Sequence, residues 1–384
     1  MYQELTDTKI PSAKLDPRLP SKRVEEVLQL IGHGNFANAM TLAVGLVEAT
    51  DGIEITLLSY LAPCVAAEWD LTSFEQGLLT ASVFAGELVG ALALGVVSDL
   101  YGRRTAFLIA TLLVTIFGLL TAAAPSYAWL IGFRSLVGVG AGGMEVPFDL
   151  LSEVVPALDR ASVLLRVQVM WAVGSIFMGS VAWIVLGMGQ SWRILALVAA
   201  FPSFTVLCCF TYIPESPRWL LANKRPQEAK NVLLLAASYN NVELDDFELL
   251  PYEMTIKEGN FRELWQRPEL RHVSFMLWIV WASFGFQYYG VILLGASILG
   301  SKDSCQFDNI LLFFVTGSEL VAYIVSEMYS NRIGRRENII GSLLLAGIAS
   351  LLMPLELGLT WMTFFAFLGR GAGFLGGVFA WIIT

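Results

Sequence analysis

Ten long apolar stretches follow one another along this chain, and they leave few folds open to it. They lie at about 38–66, 74–98, 105–124, 127–150, 161–187, 191–213, 271–298, 307–329, 338–357 and 360–384, called spans 1 to 10 below. A helix needs roughly 20 mostly apolar residues to cross a bilayer, and each stretch reaches that length. Composition agrees: of 384 residues 56% are hydrophobic and 15% charged, where soluble domains carry about 25% charged residues. A soluble core of this size would lack polar cover, so the chain reads as an all-α polytopic protein of the lipid bilayer. A net charge of -9 argues against a nucleic-acid partner. Cys64, Cys208, Cys209 and Cys305 show neither metal spacing nor a disulfide framework, and no cofactor or metal is expected. The first 35 residues are polar, hold three prolines and lack the apolar core of a cleaved signal peptide.

Most connections are short, so neighbouring spans run antiparallel. The exception is 214–270, charged and broken by Pro214, Pro217, Pro226, Pro251 and Pro268, which reads as a surface linker with one or two short amphipathic helices. The expected organisation is a tail at 1–37, a six-helix bundle at 38–213, the linker at 214–270 and four further helices at 271–384. With the N-terminus inside, twenty Lys and Arg fall on the inner connections and only Arg193 and Lys302 on the outer ones. That asymmetry predicts a cytoplasmic N-terminus in a membrane that the sequence does not specify.

Two connections echo each other. "GVVSDLYGRR" (Gly95–Arg104) ends span 2, and Arg134 follows in span 4; "EMYSNRIGRR" (Glu327–Arg336) ends span 8, and Arg370 follows in span 10. Each arginine leads a glycine-rich stretch, "RSLVGVGAGG" and "RGAGFLGG". Repeated halves mark secondary transporters, and the glycines let helices approach closely.

The pattern Gly95-x3-Asp99-x2-Gly102-Arg103-Arg104, with "SEVVPALDR" after span 4 and "PESPRWL" after span 6, resembles the major facilitator superfamily. "DGIEITLLSYLAP", "EVVPALDRASVLLRVQVMWAVGSIF" and "WASFGFQYYG" look closest to its synaptic vesicle 2-related branch, itself similar to organic-ion and aromatic-acid/proton symporters. The resemblance covers roughly Ile31 to Thr384. It implies a six-helix bundle followed by an incomplete four-helix one, a central cavity lined by spans 1, 4, 7 and 10, and movement of a small solute by alternating access. It also implies two inverted triplets of helices per half, so the chain is expected to lack helices 11 and 12, as a fragment or as a short form completed by a partner chain.

The charges at the inner ends of the spans are Asp99, Arg103, Arg104, Glu153, Arg160, Glu215 and Arg218. They could latch those ends when the cavity opens outward, with Asp99 meeting an arginine and the N-terminus of a neighbouring helix; alternatively the arginines are only topology signals. Asn331 stands at the Asp99 position of the second hinge, which weakens that half of the latch.

Ionisable groups within spans cost ~2.5–3.5 kcal/mol each on insertion scales, so they face a cavity or a partner. Asp51 and Glu54 share a face of span 1, at a depth that matches Arg134. Arg134 could neutralise either acid in one state and a solute carboxylate in another, or form a fixed structural pair. Gln287, Tyr288 and Tyr289 in span 7 could cradle a ring and orient a polar group, and Arg370 repeats Arg134 in the second half. Glu145, Asp149 and Glu153 descend span 4 as an acidic stripe, either a proton path or a wet vestibule. Glu87, Glu319 and Glu327 receive no role. No nucleophile–base pair or phosphate loop appears, so an enzyme is not expected. The expected function is secondary, proton-coupled transport of a small organic solute, with two cavity arginines suggesting an organic anion. The alternatives are an organic cation or neutral solute, with Asp51 and Glu54 as counter-charge, or a transporter-derived protein that binds or regulates without transporting.

Overall fold

The computed structural model describes residues 20–251, 265–299, 305, 307–329, 334–355 and 358–383. Every expected span is helical. Span 1 is α2 (Asn35–Trp69), span 2 is α3 (Ser73–Tyr101) and span 3 is α4 (Arg103–Ala122). Span 4 is split into α5 (Tyr127–Ala141) and α6 (Val146–Val154); span 5 is α7 (Arg160–Gly187); span 6 is α8 (Trp192–Ala199) and α9 (Phe201–Cys209). Two short linker helices, α10 (Pro217–Ala222) and α11 (Pro226–Tyr239), lead to span 7, α12 (Pro268–Leu299). Span 8 is α13 (Asn309–Thr316) with α14 (Ser318–Tyr329), span 9 is α15 (Arg335–Leu352) and span 10 is α16 (Leu359–Ile383). Ser73–Tyr101, Arg103–Ala122, Arg160–Gly187, Pro268–Leu293 and Leu359–Trp381 are each long and apolar enough to cross a membrane unbroken. The splits fall where helix breakers stand: Gly142–Gly143 in span 4, Pro202 in span 6 and Gly317 in span 8. The second hinge, with Asn331, lies outside the described residues.

Local chemistry sets the ends. Thr72 opens α3 by accepting from the Glu75 backbone N–H at 3.3 Å, while the Glu75 carboxylate accepts from the Thr72 N–H at 2.8 Å.

Spans 2 and 4 pack backbone to backbone. A Cβ added at Gly90 would lie 2.0 Å from the Val139 carbonyl oxygen, and one at Gly138 would lie 2.1 Å from that of Val83. No side chain fits, and overpacking of this kind typically costs 1–3 kcal/mol. Gly90→Ala is therefore expected to lower the unfolding midpoint in detergent by several degrees. Gly77→Ala, where a Cβ meets nothing within 4 Å, should leave it unchanged. Equal midpoints would show that the helices are not in close contact.

Two features depart from expectation. The tail is not merely polar chain: α1 (Val24–Ile31) buries Val24, Val27, Leu28 and Ile31 beneath the linker. β1 (Ser21–Lys22) pairs in parallel with β2 (Glu248–Leu249). The Asn240 side chain closes the assembly, donating to the Ile31 and Gly32 carbonyls and accepting from the Phe36 N–H. The expectation that the cysteines form no disulfide framework also gives way. Cys64 and Cys305 form a disulfide across 241 residues of sequence. Spacing could not reveal it, because only the packing of the two halves brings these residues together.

Candidate functional site

The GRR hinge works through its glycine as well as its charges. Gly102 joins α3 to α4 at φ 103°, a conformation side chains disfavour, and a Cβ there would lie 2.1 Å from Glu215 Oε2. Glu215 accepts from the Arg104 N–H at 3.2 Å and from the Ser216 N–H at 2.8 Å. So Glu215, not Asp99, meets the N-terminus of a neighbouring helix. Burial raises the Glu215 carboxyl above its usual range, against the pull of those N–H groups. Asp99 pairs with Arg103 at 2.5 Å, and Arg103 lies 3.7 Å from Glu153. Arg104 stacks its guanidinium on Phe210 at 5.2 Å. Arg160 and Arg218 make their ion pairs with Glu25 of α1, at 3.0 Å for Arg160. The charges expected at the inner ends thus fall into two clusters, Asp99–Arg103–Glu153 and Arg160–Glu25–Arg218, with Glu215 at the start of α4. Glu25 lies in the polar tail, outside the spans and hinges whose charges the sequence singles out.

Within the spans, helical rotation sorts the acids. Each step of three residues turns a helix about 300°, so successive acids drift by about 60°. Glu48 and Asp51 open on a central cavity of about 450 Å³. Glu54 has rotated away and accepts a hydrogen bond from Arg134 Nη1 at 2.6 Å, with both side chains buried. Arg134 therefore neutralises Glu54 alone, and Asp51 keeps its place on the cavity wall.

Glu87 from span 2 and Glu145 from the break in span 4 complete an acidic wall of four carboxylates. Facing it are Trp171 of span 5, Trp281, Phe284, Tyr288 and Tyr289 of span 7, and Phe374 and Trp381 of span 10. Among the described residues lining this cavity there is no Lys or Arg. The rings pack on one another: Phe284 stacks on Tyr288 at 5.3 Å and Trp281 meets Trp381 edge-on at 5.3 Å. Gln168, Val378 and Trp381 also line a second chamber of about 260 Å³ that reaches Ala157 and Arg160. The cavity therefore leads toward the face that carries the linker. On the opposite face the halves meet in one apolar cluster that includes Leu57, Leu61, Leu312 and Val315.

Of the remaining candidates, Arg370 and Gln287 stand apart from the cavity lining. Arg370 Nε donates to Glu319 Oε1 at 2.8 Å and Nη1 donates to Thr316 at 3.3 Å, so Arg370 is buried and neutralised. Gln287 donates to Ser350 Oγ and to the Gly369 carbonyl, toward spans 9 and 10 and not into the cavity. Tyr288 and Tyr289 line the cavity as expected. Tyr288 accepts from Trp171 Nε1 at 2.8 Å and donates to Glu319 Oε1 at 2.6 Å, which ties the first half to the second. Glu145, the top of the acidic stripe, reaches the cavity, and Glu48, Glu87, Trp171, Phe374 and Trp381 join it without a place assigned to them from sequence. For Glu48 the signal was its spacing of three from Asp51.

Two helical halves around a central cavity, with the cavity open toward one face, define a major facilitator transporter. The chain belongs to the "Sugar (and other) transporter" family, whose profile matches residues 38–381. It is 30% identical over 391 residues to the synaptic vesicle 2-related protein of Xenopus laevis, covering 96% of this chain and 70% of that protein. It is 30% identical over 359 residues to the organic cation/carnitine transporter 7 of Arabidopsis thaliana, covering 82% of this chain and 72% of that one. Among solved structures, it superposes on a partially occluded inward-open form of the xylose transporter XylE from E. coli, with a TM-score of 0.69 at 18% identity. The alignment covers 91% of this chain and 87% of that one.

Proposed function

We propose that this transporter carries a small organic cation, exchanging it for protons, with the linker and N-terminus on the cytoplasmic side. The observation that carries the reading is the cavity wall: Glu48, Asp51, Glu87 and Glu145 face aromatic rings with no cationic side chain among the described lining residues. An ammonium group gains from carboxylates through charge and from ring faces by ~0.5–2 kcal/mol each. The organic-anion expectation relied on Arg134 and Arg370 meeting the solute. Both instead sit in buried ion pairs away from the cavity, with Glu54 and Glu319. A related protein bears the name organic cation/carnitine transporter, which agrees with the cationic choice. Excess negative charge in an enclosed space needs a counter-charge, which either protons or the solute can supply. The two therefore compete for Asp51 and its neighbours, and their movements are coupled as an exchange. The Asp99–Arg103–Glu153 cluster would steady the inner ends of spans 2 to 4 through the cycle.

The test is uptake by pure protein in lipid vesicles under an imposed pH gradient, with a dithiol reductant present. The solutes are a quaternary ammonium, an aromatic amine and an aromatic carboxylate of matched size. The two cations are expected to accumulate when the vesicle interior is acidic, and the carboxylate to stay out. Accumulation of the carboxylate alone would overturn the reading.

A further inference from the structure

Alternating access requires the two halves to part on one face and then on the other. On the face opposite the linker, apolar contacts hold them together: Tyr60 meets Phe307 edge-on at 5.3 Å, and Trp183 lies 5.9 Å from Phe313. Contacts of this kind break and re-form within a cycle. The bond beside them does not. Cys64, 1% exposed near the outer end of span 1, is joined to Cys305, which precedes span 8. One cysteine belongs to each half, so the bond crosses the seam that an outward-open state must separate. Phe307, two residues on, is packed on Tyr60, and Asp308 caps α13 by accepting from the Leu311 N–H at 3.2 Å.

We infer that the Cys64–Cys305 disulfide is a redox lock on the outer gate. Oxidised, it holds the seam shut and leaves the cavity open toward the linker; reduced, it lets the seam part and transport proceed. The inference rests on the transport reading above. The distribution of cysteines fits it. Cys208, at the linker end of span 6, is a free, exposed thiol. The bonded pair lies at the opposite face, which the Lys and Arg asymmetry assigns to the non-cytoplasmic side, where disulfides persist. Unlocking takes two electrons and two protons from a dithiol reductant: the S–S bond breaks, Cys64 and Cys305 become thiols, and the reductant closes into its own disulfide. Relocking reverses the exchange with another molecule's disulfide as oxidant.

The experiment has three readouts on the purified full chain. Peptide mapping without reduction should recover Cys64 and Cys305 in one linked peptide pair; finding both only as free thiols would overturn the inference. Hydrogen–deuterium exchange over residues 55–65 should speed up several-fold on adding a membrane-impermeant dithiol. It should be equally fast, with or without the dithiol, in Cys305→Ser and in Cys64→Ala. Cys305 is only half-buried, so its replacement keeps the test sound if the Cys64 variant folds poorly. Identical exchange in the oxidised and reduced protein would overturn the lock whatever uptake shows. Uptake of a quaternary ammonium should rise at least tenfold with the dithiol in the wild type, and the variants should need none. Exchange that responds to reduction, in a protein that never takes up solute, would sustain the lock and overturn the transport reading.

Discussion

Asp51→Asn and Glu145→Gln are each expected to reduce accumulation of a quaternary ammonium solute by ten- to a hundredfold, and the double variant to abolish it. The amides keep the volume of the acids and remove only charge. Two unit charges 4 Å apart interact by about 4 kcal/mol at an effective dielectric constant of 20. Losing even a third to two thirds of that corresponds to the stated range, at 1.4 kcal/mol per factor of ten. Stability should not suffer, because each change relieves repulsion among Glu48, Asp51, Glu87 and Glu145, which share one wall. A neutral solute of the same shape, with carbon in place of the ammonium nitrogen, should bind the variants and the wild type alike. Ammonium uptake that survives in the double variant would show that these carboxylates do not hold the solute.

Arg134→Ala should destabilise the folded protein by about 3–5 kcal/mol, the usual consequence of leaving a buried charge unpaired. Glu54 would remain with its carboxylate buried and its hydrogen bond from Arg134 gone. The double variant Glu54→Gln/Arg134→Gln removes both charges and should recover most of the loss. Thermal unfolding in detergent measures both. An Arg134→Ala protein that unfolds at the wild-type temperature but loses solute recognition would return Arg134 to the solute site. The same logic applies to Glu319 and Arg370, although there Tyr288 still donates to Glu319 and should soften the effect.

The spans were legible because each needs only length and hydrophobicity, and the hinge because its glycine and charges form a compact pattern. Which way a buried acid faces was not legible. Asp51 and Glu54 differ by about 60° of helix rotation, and only the placement of span 4 decides which of them meets Arg134. The cavity wall draws Glu48, Glu87 and Glu145 from three different spans, so no single stretch carries its signature. α1 is a different case. "VEEVLQLI" has apolar residues at helical spacing, and all four of Val24, Val27, Leu28 and Ile31 are buried. A polar average over the tail concealed a readable amphipathic helix and, with it, Glu25.

The break in span 4 divides labour along a single crossing. α5 carries Arg134, tied to Glu54, and α6 carries Glu153, held near Arg103. Glu145 sits in the turn between them, immediately before α6 begins. A continuous helix would pass any tilt at the hinge straight up to the Glu54–Arg134 pair. Two rods joined at Gly142 and Gly143 do not. A tilt of α6 about that joint would displace Glu145 at the cavity wall and leave the Glu54–Arg134 pair on α5 in place. Stiffening the joint would oblige both to move together.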